Sequence, residues 1–163
     1  MDAIKTPEGH THAARISDTE TRITRQLAAP RAAVYRAWSE ADLFRQWWVP
    51  QSFGMTLLSC EMDVRTGGAY RLVFEHPQSS EPMAFFGTYQ DVVPGERIVW
   101  TNEESDSGQV TTVTFEDRDG GTFLTIHDRY ASKEALDAEI GASEGMNETL
   151  DQLDAFVRTL AGE

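Results

Sequence analysis

Two hydrophobic rhythms divide this chain. From Arg22 to Leu27 apolar and polar residues alternate, with Ile23 and Leu27 on the apolar side, as in a half-buried strand. Val34, Ala37, Trp38 and Ala41 then recur at helical spacing, and Pro30 suits the first turn of that helix. A second short helix is expected from about Asp42 to Trp48, where Pro50 forbids continuation. The period next falls to two, and strands are expected at Met55–Met62, Gly68–Glu75, Ala84–Val92, Glu96–Thr101, Gln109–Asp117 and Thr122–Tyr130. Their connections carry turn chemistry: Thr66-Gly67, Pro94-Gly95 and Arg118-Asp119-Gly120-Gly121. The helical rhythm returns at the end. Met146, Leu150, Leu153, Val157 and Leu160 fall at steps of four and three, with Ser143 as the expected N-cap. Lys133–Ile140 is expected as a separate short helix, interrupted at Gly141.

The order is one strand, two short helices, five or six strands and one long helix. An antiparallel meander and an amphipathic helix bury their apolar sides against each other, which defines an α+β architecture. Met1 to about Glu20 is polar and aperiodic, with Pro7 and Gly9, and is expected to be a mobile tail over residues 1–21 preceding a domain at 22–163.

Large rings change this picture. Trp47 and Trp48 stand side by side among four tryptophans, and each buries roughly 200 Å². They either seal a core or wall a cavity. Tyr70, Leu72 and Phe74 share one strand face, and Val113 and Phe115 share another. Dense cores favour branched aliphatics, so this many flat or phenolic side chains suggest a partly hollow interior. Its expected wall is Trp38, Trp47, Trp48, Phe53, Tyr70, Phe74, Tyr89, Trp100, Phe115, Met146 and Leu150.

The motifs resemble a known group. Ala29-Pro30 with Val34-Tyr35 and Ala37-Trp38 comes first, then Trp47-Trp48-x-Pro50, then Gly67-Gly68-x-Tyr70-Arg71. Gly87-x-Tyr89-x-x-Val92-x-Pro94-x-Glu96-Arg97-Ile98-Val99-Trp100-Thr101 follows. Their order and spacing are similar to the START-like, birch-pollen-allergen-like superfamily (SRPBCC), and within it to the branch named for the activator of the ninety-kilodalton heat-shock-protein ATPase. The resemblance spans about residues 22 to 160. It implies a helix-grip fold: a curved antiparallel sheet of about six strands around the long C-terminal helix, with a hydrophobic cavity between them. Family members often carry Gly-Trp where this chain has Gly145-Met146, and a methionine shapes that end of the cavity differently. The eukaryotic co-chaperone also has an additional N-terminal domain, for which the first 21 residues are too short.

Charge and composition narrow the function. The net charge of −13 opposes nucleic acid and anionic membranes, since phosphate binding needs clustered Lys and Arg. From Ala131 onward eight acidic residues face Lys133 and Arg158, an excess that reads as a solvated helix face. No run of roughly 20 apolar residues occurs and the N-terminus is not signal-like, so a cytoplasmic location is expected. Cys60 is the single cysteine, which excludes an internal disulfide, and its apolar neighbours make it an inert buried thiol.

No phosphate loop, dinucleotide fingerprint, nucleophile elbow or zinc-type His-Glu-x-x-His occurs. His10-Thr11-His12 lies in the expected tail, and neither a metal nor a cofactor is implied. His127 falls on the strand face opposite Leu124 and reads as an outer-face histidine; His76 reads as an exposed loop residue. Arg71 and Arg97 read as surface ion-pair partners of Glu61, Asp63 and Glu75. The leading expectation is a binding module for a small hydrophobic or aromatic ligand, lipid-like or polyketide-like. The rivals are a cyclase- or hydratase-type enzyme using Tyr89 with Glu61 or His127, and a co-chaperone-like module contacting a heat-shock ATPase. Exposed sheet edges could also pair into a homodimer.

Overall fold

The computed structural model describes residues 11–49, 51–78, 80–104, 108–139 and 144–161, and the side chains of all of these except 53, 139, 144, 145 and 161. The chain runs β1 (Thr11–Arg15), β2 (Glu20–Leu27), α1 (Arg31–Ser39), α2 (Ala41–Phe44), a 3₁₀ turn (Gln51–Phe53), β3 (Thr56–Met62), β4 (Ala69–Glu75), β5 (Met83–Val93), β6 (Arg97–Thr101), β7 (Val110–Arg118), β8 (Gly121–Arg129), α3 (Lys133–Glu139) and α4 (Glu144–Ala161). All eight strands form one antiparallel sheet in the order β1-β2-β8-β7-β6-β5-β4-β3. This is the α+β helix-grip architecture expected from the sequence, with eight strands in place of about six. The strand that escapes sequence reading is β1. Its THAAR sequence has no apolar alternation, and four of its five residues are exposed. It lies within the stretch expected to be a tail and pairs with β2 from Thr11↔Arg25 to Arg15↔Thr21. The expected N-cap Ser143 and the break at Gly141 lie outside the described residues, as do Pro7, Gly9 and His10.

Local chemistry sets these elements. The carbonyl of Pro30 accepts hydrogen bonds from the amides of Ala33 and Val34, 3.0 and 3.1 Å away, so α1 starts at the proline. At the β7–β8 turn Asp119 and Gly120 have φ of 53° and 80°, the double positive φ that matches a two-residue hairpin to strand twist. Gly87 marks a close approach: a Cβ there would sit 2.0 Å from the carbonyl oxygen of Thr101.

The core lies between the sheet's inner face and the helices. Leu150, Leu153 and Val157 of α4 and Val34 and Ala37 of α1 are fully buried against Leu27, Val113 and Leu124. An ion pair at this seam was not anticipated from sequence. Arg25, 3 % exposed, reaches Asp151 Oδ1 at 2.6 Å and Asp154 Oδ2 at 3.4 Å, and donates to Thr11 Oγ1 at 2.9 Å. One side chain thereby ties β1 and β2 to α4.

Candidate functional site

The adjacent tryptophans take different roles. Trp47 is 1 % exposed, and its indole N–H donates to the Ala37 carbonyl at 3.0 Å, locking the segment after α2 onto α1. Trp48 is half-buried and stacks on Phe44 with centroids 4.8 Å apart. The following backbone is pinned to α4. Gln152 Nε2 donates to the carbonyls of Trp47 and Val49, both at 2.8 Å, and its Oε1 accepts from the Gln51 amide at 2.9 Å. Thr149 Oγ1 donates to the Trp48 carbonyl at 3.2 Å, and Glu148 accepts from the Ser52 amide at 2.9 Å. The Ser52 hydroxyl also donates to Glu148 Oε1, and that bond is the main reason the Glu148 carboxyl titrates below its ordinary value, with the Ser52 amide second among the groups that lower it.

Trp48 fronts a cavity of about 130 Å³ between sheet and helices. Period-two alternation brings Tyr70, Leu72 and Phe74 of β4 to its wall, with Phe85 and Tyr89 from β5 and Ile98 and Trp100 from β6. Trp38, Phe44, Met62 and Asn102 complete it. A second space of about 460 Å³ adjoins it across Trp38, Trp48, Phe85, Trp100 and Asn102. Ile23, Ile126, Leu136 and Met146 line that space together with Thr111, Gln109, Asp128, Glu104, Arg15 and Tyr130. The cavity therefore has an aromatic compartment and an amphipathic one.

Polar groups are few in the aromatic compartment. Tyr70 Oη donates to the Thr101 carbonyl at 2.7 Å. Tyr89, only 5 % exposed, has no hydrogen-bond partner for its hydroxyl among the described residues. Burial pushes both phenols well above their ordinary pKa, so both remain protonated. In the second compartment Asp128 Oδ1 accepts from Thr111 Oγ1 at 2.5 Å and Gln109 Nε2 at 3.0 Å. Burial pushes its carboxyl up, against the pull of those two hydrogen bonds.

Of the wall expected from sequence, Trp38, Trp48, Tyr70, Phe74, Tyr89 and Trp100 line the aromatic compartment and Met146 the second one. Trp47, Phe115 and Leu150 lie in the packed core, and the Phe53 side chain lies outside the described residues. Sequence reading passed over Asp128 and Thr111, although a signal existed. Asp128 shares the parity of Leu124 and Ile126, and Thr111 that of Val113 and Phe115, so both are polar residues at inward positions.

The remaining candidates lie elsewhere. Glu61 and Arg71 are exposed, and His127 Nε2 sits 2.8 Å from Glu20 Oε1. Arg97 pairs with Asp91 at 2.7 Å. Cys60 is half-buried, with its thiol pushed up chiefly by burial. Among the described residues no cluster of three His, Cys, Asp or Glu could hold a metal, and no helix is long and apolar enough to cross a membrane.

A curved antiparallel sheet closed over a long C-terminal helix, with an apolar cavity between, defines the START-like helix-grip class. Residues 28–158 match the model of the family described as activator of Hsp90 ATPase homolog 1-like protein, and the chain belongs to that family. A crystal structure from Rhodobacter sphaeroides superposes with a TM-score of 0.83 at 22% identity, covering 92% of this chain and 99% of that one. One from Chromobacterium violaceum gives 0.72 at 33% identity, covering 85% and 97%. The solution structure of an AHSA1-like protein from Aeromonas hydrophila gives 0.68 at 22% identity, covering 87% and 95%. No curated protein matches the chain.

Proposed function

We propose that this protein is a cytosolic receptor that encloses a small hydrophobic or aromatic ligand between its sheet and α4. The observation that carries the reading is the aromatic compartment itself, whose wall contains Tyr89, a phenol whose hydroxyl has no hydrogen-bond partner among the described residues. A ligand bearing one polar atom would find in that hydroxyl a hydrogen-bond partner that fixes its orientation. Such a pocket, mostly apolar with a few polar groups that fix orientation, is the usual form of a small-molecule site. Burying roughly 300 Å² of ligand surface is worth about 7 kcal/mol. Association costs of at least about 4 kcal/mol oppose this, so affinities of micromolar or weaker are expected.

Trp38, Trp48 and Trp100 line the cavity and report on it directly. Titration with a panel of fatty acids and polyketide-like phenols is expected to give a saturable shift in tryptophan emission with at least one of them. Emission unmoved by every member would overturn the reading.

A further inference from the structure

We propose that the ligand is an amphipathic amine, with its apolar body in the aromatic compartment and its ammonium nitrogen against Asp128. The inference rests on the receptor reading above and adds the charge of the ligand's head.

Asp128 lines the second compartment as a carboxyl whose hydrogen bonds, from Thr111 and Gln109, both arrive at Oδ1 from neutral donors. Oδ2 has no partner among the described residues, and no Lys or Arg among them pairs with this carboxyl. Arg15, the one arginine lining the same wall among the described residues, is already engaged: Nη1 lies 2.7 Å from Asp137 Oδ1, and the carbonyls of Ser17 and Asp18 accept at 3.3 and 3.0 Å. The neighbouring His127 pairs with Glu20, and its charge is the smallest of the influences that lower the Asp128 carboxyl. Asp128 is half-buried, and a carboxylate withdrawn from water without a paired cation is destabilised; in the unliganded protein desolvation holds this carboxyl above its ordinary pKa.

A ligand ammonium supplies the missing charge and an N–H donor for Oδ2. Two further features of the wall favour the same sign. Trp38, Trp48 and Trp100 border both compartments, and indole rings attract cations. Glu104 is the other carboxylate of this wall. A carboxylate head would instead meet Asp128 and Glu104 with no uncommitted arginine among the wall residues. An alcohol could hydrogen-bond but would leave the charge unbalanced.

Three probes of one chain length separate these cases: octylamine, 1-octanol and octanoate, titrated calorimetrically into the full chain at pH 7 and 150 mM salt. Octylamine is expected to bind about tenfold or more tightly than 1-octanol, as a charge-assisted hydrogen bond should, with octanoate weakest. In Asp128→Asn the amine is expected to fall to the affinity of the alcohol while the alcohol is unchanged, which also shows that the variant folds. The chain has 27 acidic residues, so diffuse attraction of a cation would survive the loss of one. Equal binding of amine and alcohol, tighter binding of octanoate, or an amine preference retained in Asp128→Asn overturns the proposal and leaves the receptor reading standing. Should the variant fail to fold, the wild-type ranking at 500 mM salt decides: diffuse attraction is screened there and a partly buried ion pair much less, so loss of the amine preference overturns the proposal. If none of the three binds, the amine proposal falls, and the receptor reading stands or falls on the tryptophan titration.

Discussion

At the scale of single residues, function and packing diverge between neighbours. Trp47 finds a carbonyl partner on α1 and becomes core; Trp48, one position on, faces space. Asp128 shows what that space does to a charge. Because burial raises its pKa, the folded chain holds a proton at pH values where the unfolded chain has released it. Stability therefore falls as pH rises from the ordinary carboxylate range, about 4, through the folded value. Asp128→Asn keeps an oxygen to accept from Thr111 and Gln109 and removes the charge. It is expected to melt higher than wild type at pH 8, with the gain shrinking to nothing near pH 3.5. Thermal melts across pH test this, and a gain equal at both ends would refute it.

At the scale of elements, the cavity depends on a latch. Gln152, on α4, makes three hydrogen bonds to the backbone of residues 47–51, which carries Trp48. Gln152→Ala is expected to cost about 1–3 kcal/mol and to speed amide exchange in residues 47–52 well beyond that in β7 and β8. Uniform acceleration across the molecule would show the latch to be ordinary packing. Most elements were legible because their causes are local. The β7–β8 hairpin follows from Asp119-Gly120, and the stripe of α4 from its spacing of four and three. β1 was not legible, since pairing with β2 and the reach of Arg25 to α4 hold it, and neither leaves a pattern in THAAR. The short α2 ends at Phe44, earlier than the periodicity implied, and the chain continues in turns that place Trp48 at the cavity.

At the scale of the whole molecule, the interior combines a dense part and a hollow one. Leu72 lines the aromatic compartment, whereas Leu124 on β8 is fully buried in the packed part. Leu72→Phe is expected to leave the unfolding midpoint unchanged or raised. Leu124→Phe is expected to cost about 1–3 kcal/mol, the usual penalty for overfilling. Equal losses in the two variants, followed by urea denaturation, would mean the compartment does not exist in solution.

The kinds of element, nearly all of their order, and the inward face of every element except β1 are written in the order of the residues. Hydrophobic periodicity and turn chemistry act over a few residues and are written along the chain. Whether an inward ring meets another side chain or a void was decided by the tertiary structure alone. That outcome depends on the distance between sheet and helices, which long-range contacts such as Trp47 to Ala37 and Gln152 to the Trp48 segment hold fixed. The same holds for Asp128: its inward parity was visible, but that no cation among the described residues pairs with it arises only where Arg15 and His127 have been drawn to Asp137 and Glu20.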